Sequence, residues 1–402
     1  MNLHSPEAAI TAWLATQHGA MVDLLRRMVD IDSGSYDKPG IDAVGQVVRG
    51  FLNGHGIAVE TLPQSRHGDC LRAAVPWDGV PQDRAPRGIG GNAGGNVVLM
   101  GHRDTVFPAG EAARRPFTIE GHLAYGPGVA DMKAGLVMNC FVLAAFAKFG
   151  GNPAPLVGLF TGDEEIGSPE GRAVIEAEAR HACVVFNSEP GRMSGNVVTG
   201  RKGGVFMLMR ITGKAAHSGG SFEAGISAIE ELARKVQAIH ALTELDRGIT
   251  VNVGLVRGGQ SVNTVAPWAE GEIDLRYIEP ADREEVMARI GAIVDRSFVP
   301  GTRAELTIKG EFLPMTQSPA AKRLFDLYVD AAASSGFATS GEFTGGCADS
   351  GFTAGVGTAT ICAVGPIGGR AHSPEEFLDL DSLVSRAQAC ARAILRLDGA
   401  GL

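Results

Sequence analysis

Residues 96–106, NVVLMGHRDTV, join an apolar run to a histidine and an aspartate. The run is typical of a buried strand, so His102 and Asp104 are expected where that strand ends. Two residues apart on an extended chain, their side chains point the same way, and Asp104 can orient the imidazole of His102 while the other ring nitrogen binds a metal. Alone, a His-x-Asp pair more often lies solvated on a protein surface than binds a metal, but here the arrangement recurs along the chain.

Two further apolar runs end in acids. Residues 155–161 lead into TGDEEIGS, which holds Asp163, Glu164 and Glu165, and residues 183–187 lead to Glu189. Three adjacent acids usually lie solvated on a surface loop. At the mouth of a buried strand they are costly unless a cation compensates their charge, and the repetition therefore indicates a cation site.

Two more polar side chains follow glycine-rich turns. Asp131, in GPGVADMKAG, precedes an apolar helical stretch whose first-turn amides could orient its carboxylate. Taken by itself, Asp131 would more simply be a helix N-cap. His372, in GGRAHSPEEF, follows the strand-like run 358–365.

The order of elements predicts an α/β fold with a second domain inserted in it. Strands alternating with helices indicate a largely parallel mixed sheet flanked by helices, whose ligand crevice lies beyond the carboxyl ends of its strands. From residue 202 the pattern changes to β-α-β-β-α-β, which is typical of a compact ferredoxin-like α+β domain. We therefore predict one domain from residues 1–201 and 313–402, interrupted by another at 202–312.

Composition and charge exclude several classes of partner. A net charge of −9 over 402 residues argues against nucleic acid and anionic membranes. The six cysteines are scattered without a C-x-x-C pair, which fits a reducing compartment. Residues 1–33 are predicted to form one amphipathic helix, with neither a signal peptide nor a membrane span, so the cytoplasm is expected. Residues 77–95, rich in proline and glycine, are predicted to be an exposed loop.

The predicted ligand set suits two divalent cations of the zinc type, with cobalt and manganese as alternatives. Its members are two imidazoles and three carboxylates: His102, Asp131, Glu165, Glu189 and His372. Asp131 would bridge two ions roughly 3.5–4 Å apart, which together acidify a water and polarise a carbonyl. Glu164 is the predicted base for that water, and Asp104 supports His102. The predicted chemistry is hydrolysis of an amide or peptide bond.

The series GHRDTV, GPGVADMKAG, TGDEEIGS, NSEPG, TGKAAHSGG, DLRY, TGGCADSGF and AHSPEE resembles the di-zinc family of aminoacylases, glutamate carboxypeptidases and succinyl-diaminopimelate desuccinylases. The resemblance covers nearly the whole chain in order and is nearest to the glutamate carboxypeptidase branch. It implies the same five metal ligands, with Glu164 as the base. It also implies a cis peptide bond between Asp131 and Met132.

The resemblance further implies that the inserted domain is a lid and a dimer contact, making the protein a homodimer. His217 would then help to stabilise the oxyanion, often in the partner subunit's site. Asn263 and Arg276 would hold the substrate, Arg276 by its α-carboxylate. Gly345 and Gly346 would let the chain pass close to the substrate. The implied substrate is a dipeptide or an N-acyl amino acid.

One departure from the family concerns the substrate side chain. Glutamate-releasing relatives carry a basic residue just after the glycine of the lid's last strand, where this chain has Glu311 after Lys309 and Gly310. A carboxylate there would repel glutamate, which favours a neutral or basic side chain. The alternatives are a dipeptidase or deacylase with a non-glutamate substrate, a catalytically silent binding or scaffold protein, and a phosphatase or nuclease.

Overall fold

The computed structural model describes residues 5–77 and 95–397. The chain divides into two compact units. The first comprises Met1–Gly200, Met315–Thr344 and Ala348–Leu402, and the second comprises Arg201–Pro314 and Gly345–Cys347. Most of the loop predicted at 77–95, residues 78–94, lies outside the described residues. The domain limits drawn from the sequence at residues 202 and 312 stay predictions.

Helices and strands alternate through both units. The helices are α1 (Pro6–Ala15), α2 (His18–Val29), α3 (Lys38–Gly54), α4 (Glu111–Arg114), α5 (Ala134–Phe149), α6 (Gly171–Arg180), α7 (Ala228–His240), α8 (Pro280–Asp295), α9 (Pro319–Ser334), α10 (Ser350–Gly355) and α11 (Ser382–Leu395). The strands are β1 (Val59–Leu62), β2 (Cys70–Val75), β3 (Asn96–His102), β4 (Thr118–Glu120), β5 (Leu123–Tyr125), β6 (Leu156–Thr161), β7 (Ala182–Asn187), β8 (Val197–Arg201), β9 (Gly203–Thr212), β10 (Thr250–Gly258), β11 (Trp268–Tyr277), β12 (Arg303–Phe312), β13 (Gly341–Thr344), β14 (Ala359–Cys362), β15 (Gly368–Gly369) and β16 (Phe377–Asp379).

The large sheet of the first unit has the strand order β1-β2-β6-β3-β7-β14-β8-β13. Its central strands β6, β3, β7 and β14 pair in parallel, whereas β1, β2 and β8 pair antiparallel. The predicted mixed sheet flanked by helices is confirmed, with parallel pairing at its centre. The carboxyl ends of the four central strands therefore meet at one edge of the sheet.

Helix α5 is the buried centre of the first unit. It packs against α1, α3, α11, β3 and β6, which explains why it is apolar on every side. The stretch Val129–Phe149 is long and apolar enough by composition to cross a membrane, but 94% of its apolar window is buried inside the protein. A core helix meets the same length and composition test.

The prediction of one helix over residues 1–33 is wrong. Ser5 caps α1 by accepting a hydrogen bond from the amide of Ala8 at 3.2 Å. At the other end, the amide and the hydroxyl of Thr16 both bind the carbonyl of Trp13, at 3.0 and 2.7 Å. These hydrogen bonds satisfy the last turn of α1. The helix therefore ends there, and α2 begins after Gln17.

A small antiparallel sheet in the first unit, with the order β15-β16-β5-β4, did not emerge from the sequence. Its strands span only two or three residues each, too few to show an alternating pattern. The sheet brings the turn that follows β5 beside the loop between β15 and β16. These two segments carry Asp131 and His372.

The second unit is a four-stranded antiparallel sheet with the order β10-β11-β9-β12. Its chain order β9-α7-β10-β11-α8-β12 is the predicted β-α-β-β-α-β pattern. Val205, Met207 and Leu275 form the core together with apolar residues of α7 and α8, so the helices cover one face of the sheet. Phe206 and Arg276 alternate with these residues and belong to the other face.

A buried ion pair fastens this core. Glu231 and Lys235 of α7 are fully buried and 2.9 Å apart. Lys235 also donates to the carbonyls of Ile293 and Val294, and Glu231 accepts from the amide of Phe298. The pair therefore holds the C-terminal end of α8 and the segment after it.

Replacing Lys235 by methionine is expected to destabilise the second unit by about 3–5 kcal/mol, because the carboxylate of Glu231 stays buried without its partner. Arg234→Met on the same helix removes an exposed pair with Glu230 and serves as the matched control. Amide hydrogen exchange of β9 and β11 measures the difference. Equal protection in the two variants would contradict the prediction.

Candidate metal centre

Three parallel strands deliver polar side chains to one edge of the large sheet. β3 ends at His102, and its neighbours β6 and β7 end at Thr161 and Asn187. Glu164 and Glu165 follow β6 in a short 3-10 turn, and Glu189 follows β7. The sheet topology thus gathers residues that lie up to 87 positions apart in the sequence.

Asp131 reaches the same place from a turn between β5 and α5. The peptide bond between Asp131 and Met132 is cis, as the resemblance implied. Both residues have non-helical dihedral angles, and the N-cap position of α5 is Lys133. Asp131 is therefore not a helix N-cap, and its carboxylate is not oriented by the first turn of α5 as the sequence suggested.

The gathered side chains form two groups that share Asp131. One group is His102, Asp131 and Glu189, the other is Asp131, Glu165 and His372, and the ligand atoms within each group lie within 4.8 Å of one another. Nε2 of His102 is 3.3 Å from Oδ1 of Asp131. Nε2 of His372 is 3.4 Å from Oδ2 of Asp131 and 3.1 Å from Oε2 of Glu165. The two oxygens of Asp131 thus face different groups.

The donor atoms are suited to cations. Nε2 of His102, Oδ1 of Asp131 and Oε1 of Glu165 are buried and form no hydrogen bond with the described residues. A buried polar atom without a hydrogen bond is costly, and cations held by the two groups would compensate that cost. Imidazole nitrogen with carboxylate oxygen is the donor set of zinc-type ions. The residues therefore fit two divalent cations.

Asp104 orients the first histidine and the acidic loop together. Nδ1 of His102 lies 3.0 Å from the backbone carbonyl of Asp104 and 3.3 Å from its Oδ1, which leaves Nε2 for a metal. The carboxylate of Asp104 accepts from the Ser35 hydroxyl at 2.7 Å. It also accepts from the amides of Glu164 and Glu165, each at 3.1 Å.

Glu376 holds the turn of Asp131, a role that the sequence did not reveal. Its buried carboxylate accepts hydrogen bonds from the amides of Gly128, Ala130 and Asp131 at 3.1, 2.9 and 2.9 Å. The amides of this turn thus donate to a glutamate that is remote in the sequence. Nothing in the local pattern distinguishes Glu376 from the exposed Glu375 beside it.

Glu164 lies in an environment that favours the protonated carboxyl group. Burial raises its pKa well above the usual value, and the carboxylates of Glu189 and Asp349 add to the rise, while His102 opposes it. Oε2 of Glu164 is 3.8 Å from Nε2 of His102. Asp349, which the sequence analysis passed over, is bound by the Ser168 hydroxyl, and burial raises its pKa to about 8. A carboxylate with a raised pKa is suited to act as a general base.

The second unit brings His217 close to Asn263. The amide of Ser218 donates to the carbonyl of Asn263 at 3.0 Å. Nδ1 of His217 accepts from the amides of Gly219 and Gly220 at 3.2 and 3.0 Å. A neutral His217 therefore carries its proton on Nε2 and can donate a hydrogen bond from that atom.

Arg276 lies beside the segment of Gly345 and Gly346 in the same unit. Its Nε donates to Asp274 at 2.8 Å, and its Nη1 is 2.8 Å from Sγ of Cys347. The guanidinium also stacks on the ring of Phe206, 5.0 Å from the centroid. These contacts hold the guanidinium in one orientation.

Glu311 does not share a face with Arg276, so the structure does not support the prediction that Glu311 repels a glutamate side chain. In the register of the sheet Glu311 is opposite Val205, whose side chain lies in the core under the helices. Arg283 of α8 binds the carboxylate of Glu311 on that covered face. Glu311 therefore gives no reason to exclude an acidic substrate side chain.

Comparisons with known proteins agree with this arrangement. A family model described as peptidase family M20/M25/M40 matches residues 98–396. Carboxypeptidase G2 of Pseudomonas sp. (strain RS-16) is 28% identical over 95% of this chain and 90% of its own length. Succinyl-diaminopimelate desuccinylase of Alkalilimnicola ehrlichii is 28% identical over 76% of this chain and 85% of its own length.

A solved structure also has the same fold. An M20 family metallo-carboxypeptidase from Sulfolobus solfataricus superposes with a TM-score of 0.75 at 18% identity, over 94% of this chain and 99% of the other. The large sheet with a separate smaller α+β unit is thus an architecture known from solved structures.

Glu376→Gln is expected to lower metal affinity by about 10–100-fold, because an amide group cannot accept from all three backbone amides that fix the turn of Asp131. The matched control is Glu375→Gln, which changes the exposed neighbour. Competition with a chromogenic zinc chelator measures the affinity. The role assigned to Glu376 fails if both variants bind zinc as the wild type does.

Metal loading is expected to release at least two protons per chain at neutral pH, because both histidine ligands must lose a proton and burial raises the pKa of the ligand Glu165 to about 7. Asp131 and Glu165 raise the pKa of His372 to about 10 in the metal-free protein. Burial lowers the pKa of His102, but the carboxylates of Glu164, Asp104 and Asp131 outweigh burial and raise it well above its usual value. Affinity should therefore rise with pH between 6 and 9.

Titration calorimetry in two buffers of different ionisation enthalpy measures this proton release. The heat of zinc binding should depend on the buffer. Identical heats in both buffers would show that the histidines are already neutral.

Proposed function

The chain belongs to the peptidase family M20/M25/M40, and from that membership we propose that it is a two-metal amidohydrolase. Its substrate is a dipeptide or an N-acyl amino acid with a free α-carboxylate. The observation that carries the proposal is the pair of ligand groups sharing Asp131, with Glu164 beside them. Its activity is of the carboxypeptidase or aminoacylase type.

The metal ligands in this proposal are His102, Asp131, Glu165, Glu189 and His372. Bound there, two divalent cations supply Lewis acidity, which makes a water easier to deprotonate and polarises the scissile carbonyl. Glu164 takes the proton of the attacking water on its carboxylate and passes it to the leaving nitrogen. Its raised pKa favours the first of these transfers. Asp104 holds His102 and the loop of Glu164 and Glu165 in place during both proton transfers.

Residues of the second unit bind the substrate in this proposal. The planar guanidinium of Arg276 matches the α-carboxylate, and Asn263 supplies a neutral amide partner. Nε2–H of His217 donates to the oxyanion that forms when water attacks the carbonyl. Gly345 and Gly346 offer backbone without side chains beside Arg276.

Zinc, a cytoplasmic location and a homodimer are further parts of the proposal. The imidazole and carboxylate donors support zinc, with cobalt and manganese accepted by the same ligands. Six free cysteines support a reducing compartment. Exposed Leu255, Val256 and Val262 in the second unit support its role as the dimer contact.

Wild-type protein is expected to bind two metal ions per chain and to hydrolyse N-acyl amino acids in a chelator-sensitive way. Glu164→Gln should keep both ions and lower kcat by about 10²–10⁴-fold, because no group takes the proton of the attacking water. Metal analysis and amine release over a panel of dipeptides, N-acetyl and N-benzoyl amino acids measure this, with Glu375→Gln as the control. Full activity of Glu164→Gln would refute the role of Glu164 as the base. A wild-type protein that neither binds metal nor hydrolyses any substrate after zinc, cobalt or manganese is added would refute the proposed function.

A further inference from the structure

A cavity of about 510 Å³ opens in the first unit beside the metal centre. Its apolar wall consists of Tyr36, Val106, Phe107, Pro108, Ala109 and Ile166, and we refer to it as the Tyr36 pocket. Tyr36 is 82% exposed and Val106 43% exposed, so two large apolar side chains of the wall are open to solvent. An apolar concavity of this size can hold an aryl or branched aliphatic group.

The Tyr36 pocket is continuous with the metal centre. Glu165, a ligand in the second group, forms part of its wall. The amide of Ser35 donates to the carbonyl of Thr105 at 3.2 Å, and the Ser35 hydroxyl binds Asp104, which orients His102. The segments that support the metal ligands therefore also form the pocket.

The backbone makes this wall rigid. A Cβ atom on Gly34 would lie 2.5 Å from the carbonyl oxygen of Phe107, so the two segments approach as closely as only glycine permits. The amide of Thr105 adds a hydrogen bond to the carbonyl of Ser33 at 2.9 Å. Backbone contacts thus hold the two segments of the wall together.

The charges at the pocket decide which half of a substrate it accepts. Of its two acidic members Glu165 is assigned to the metal, so Asp37 supplies the remaining negative charge, and no cationic side chain is found among the described residues that line it. Arg115 stacks on the ring of Phe107 at 4.8 Å, but Glu111 and the carbonyl of Pro374 bind its guanidinium. A half-substrate that carries an α-carboxylate would be repelled here.

We infer that the Tyr36 pocket binds the acyl half of the substrate and selects N-acyl amino acids or dipeptides whose acyl group is large and apolar. The inference rests on the proposed function, since an amide at the metal centre places its acyl group on one side and its amino acid on the other. The carboxylate of Asp37 repels the half that carries the α-carboxylate, and the apolar wall favours an aromatic or branched acyl group over acetyl.

The test uses the zinc-loaded wild type and two pocket variants on an acyl series with one amino acid: acetyl, isovaleryl, benzoyl and phenylacetyl. The wild type should show a kcat/KM at least about 10-fold higher for benzoyl than for acetyl. Val106→Trp fills the pocket and should lower that ratio about 10-fold, and Tyr36→Ala removes part of the wall and should lower it in the same direction. Ile119→Trp, on an exposed strand position away from the pocket, is the control and should leave the ratio unchanged.

Hydrolysis with the same kcat/KM for all four acyl groups, or an unchanged ratio in both pocket variants, would overturn the inference and leave the proposed function intact. A protein that hydrolyses none of them is tested by saturation-transfer NMR with benzamide and acetamide. Selective binding of benzamide that is lost in Val106→Trp supports the pocket although the proposed function has failed. Absence of benzamide binding refutes the pocket.

Discussion

The crowding of carboxylates around two imidazoles is the constraint on which the first unit depends. Asp131, Glu164, Glu165 and Glu189 lie together at one edge of the large sheet, where burial makes every uncompensated charge costly. Without a cation, protonation lowers this cost, and the pKa values of Glu164 and His102 are both raised. Two divalent cations held by the five ligands would displace the protons of the two histidines, so metal loading and charge compensation would be one event.

Backbone amides hold this cluster in position. Glu376 accepts hydrogen bonds from three amides of the turn that carries Asp131, and Asp104 accepts from the amides of Glu164 and Glu165. Both supports are themselves buried acidic groups, and burial raises the pKa of Glu376 to about 7. Amide dipoles stabilise these supports without competing for the ligand oxygens.

The sequence indicates the strand-end residues and Asp104, but it hides the support that Glu376 gives to the turn of Asp131. His102, Glu165 and Glu189 follow long apolar strands, so the parallel sheet predicts that they meet. Glu376 and the small sheet could not be found this way, because two- and three-residue strands have no period and a buried glutamate looks like its exposed neighbour. The argument from Glu311 failed for another reason: a bulge between Ile308 and Gly310 decides which face of the sheet the residue takes, and sequence does not show bulges.

The order of the ligands along the chain has a consequence for biosynthesis. The group of His102, Asp131 and Glu189 is complete before the inserted unit begins, whereas His372 and Glu376 follow it. A chain emerging from the ribosome therefore lacks the second histidine, and the glutamate that fixes the turn of Asp131, until the inserted unit has been made. Premature termination after the inserted unit but before residue 372 therefore yields a product that keeps four of the five ligands but lacks the second histidine and Glu376.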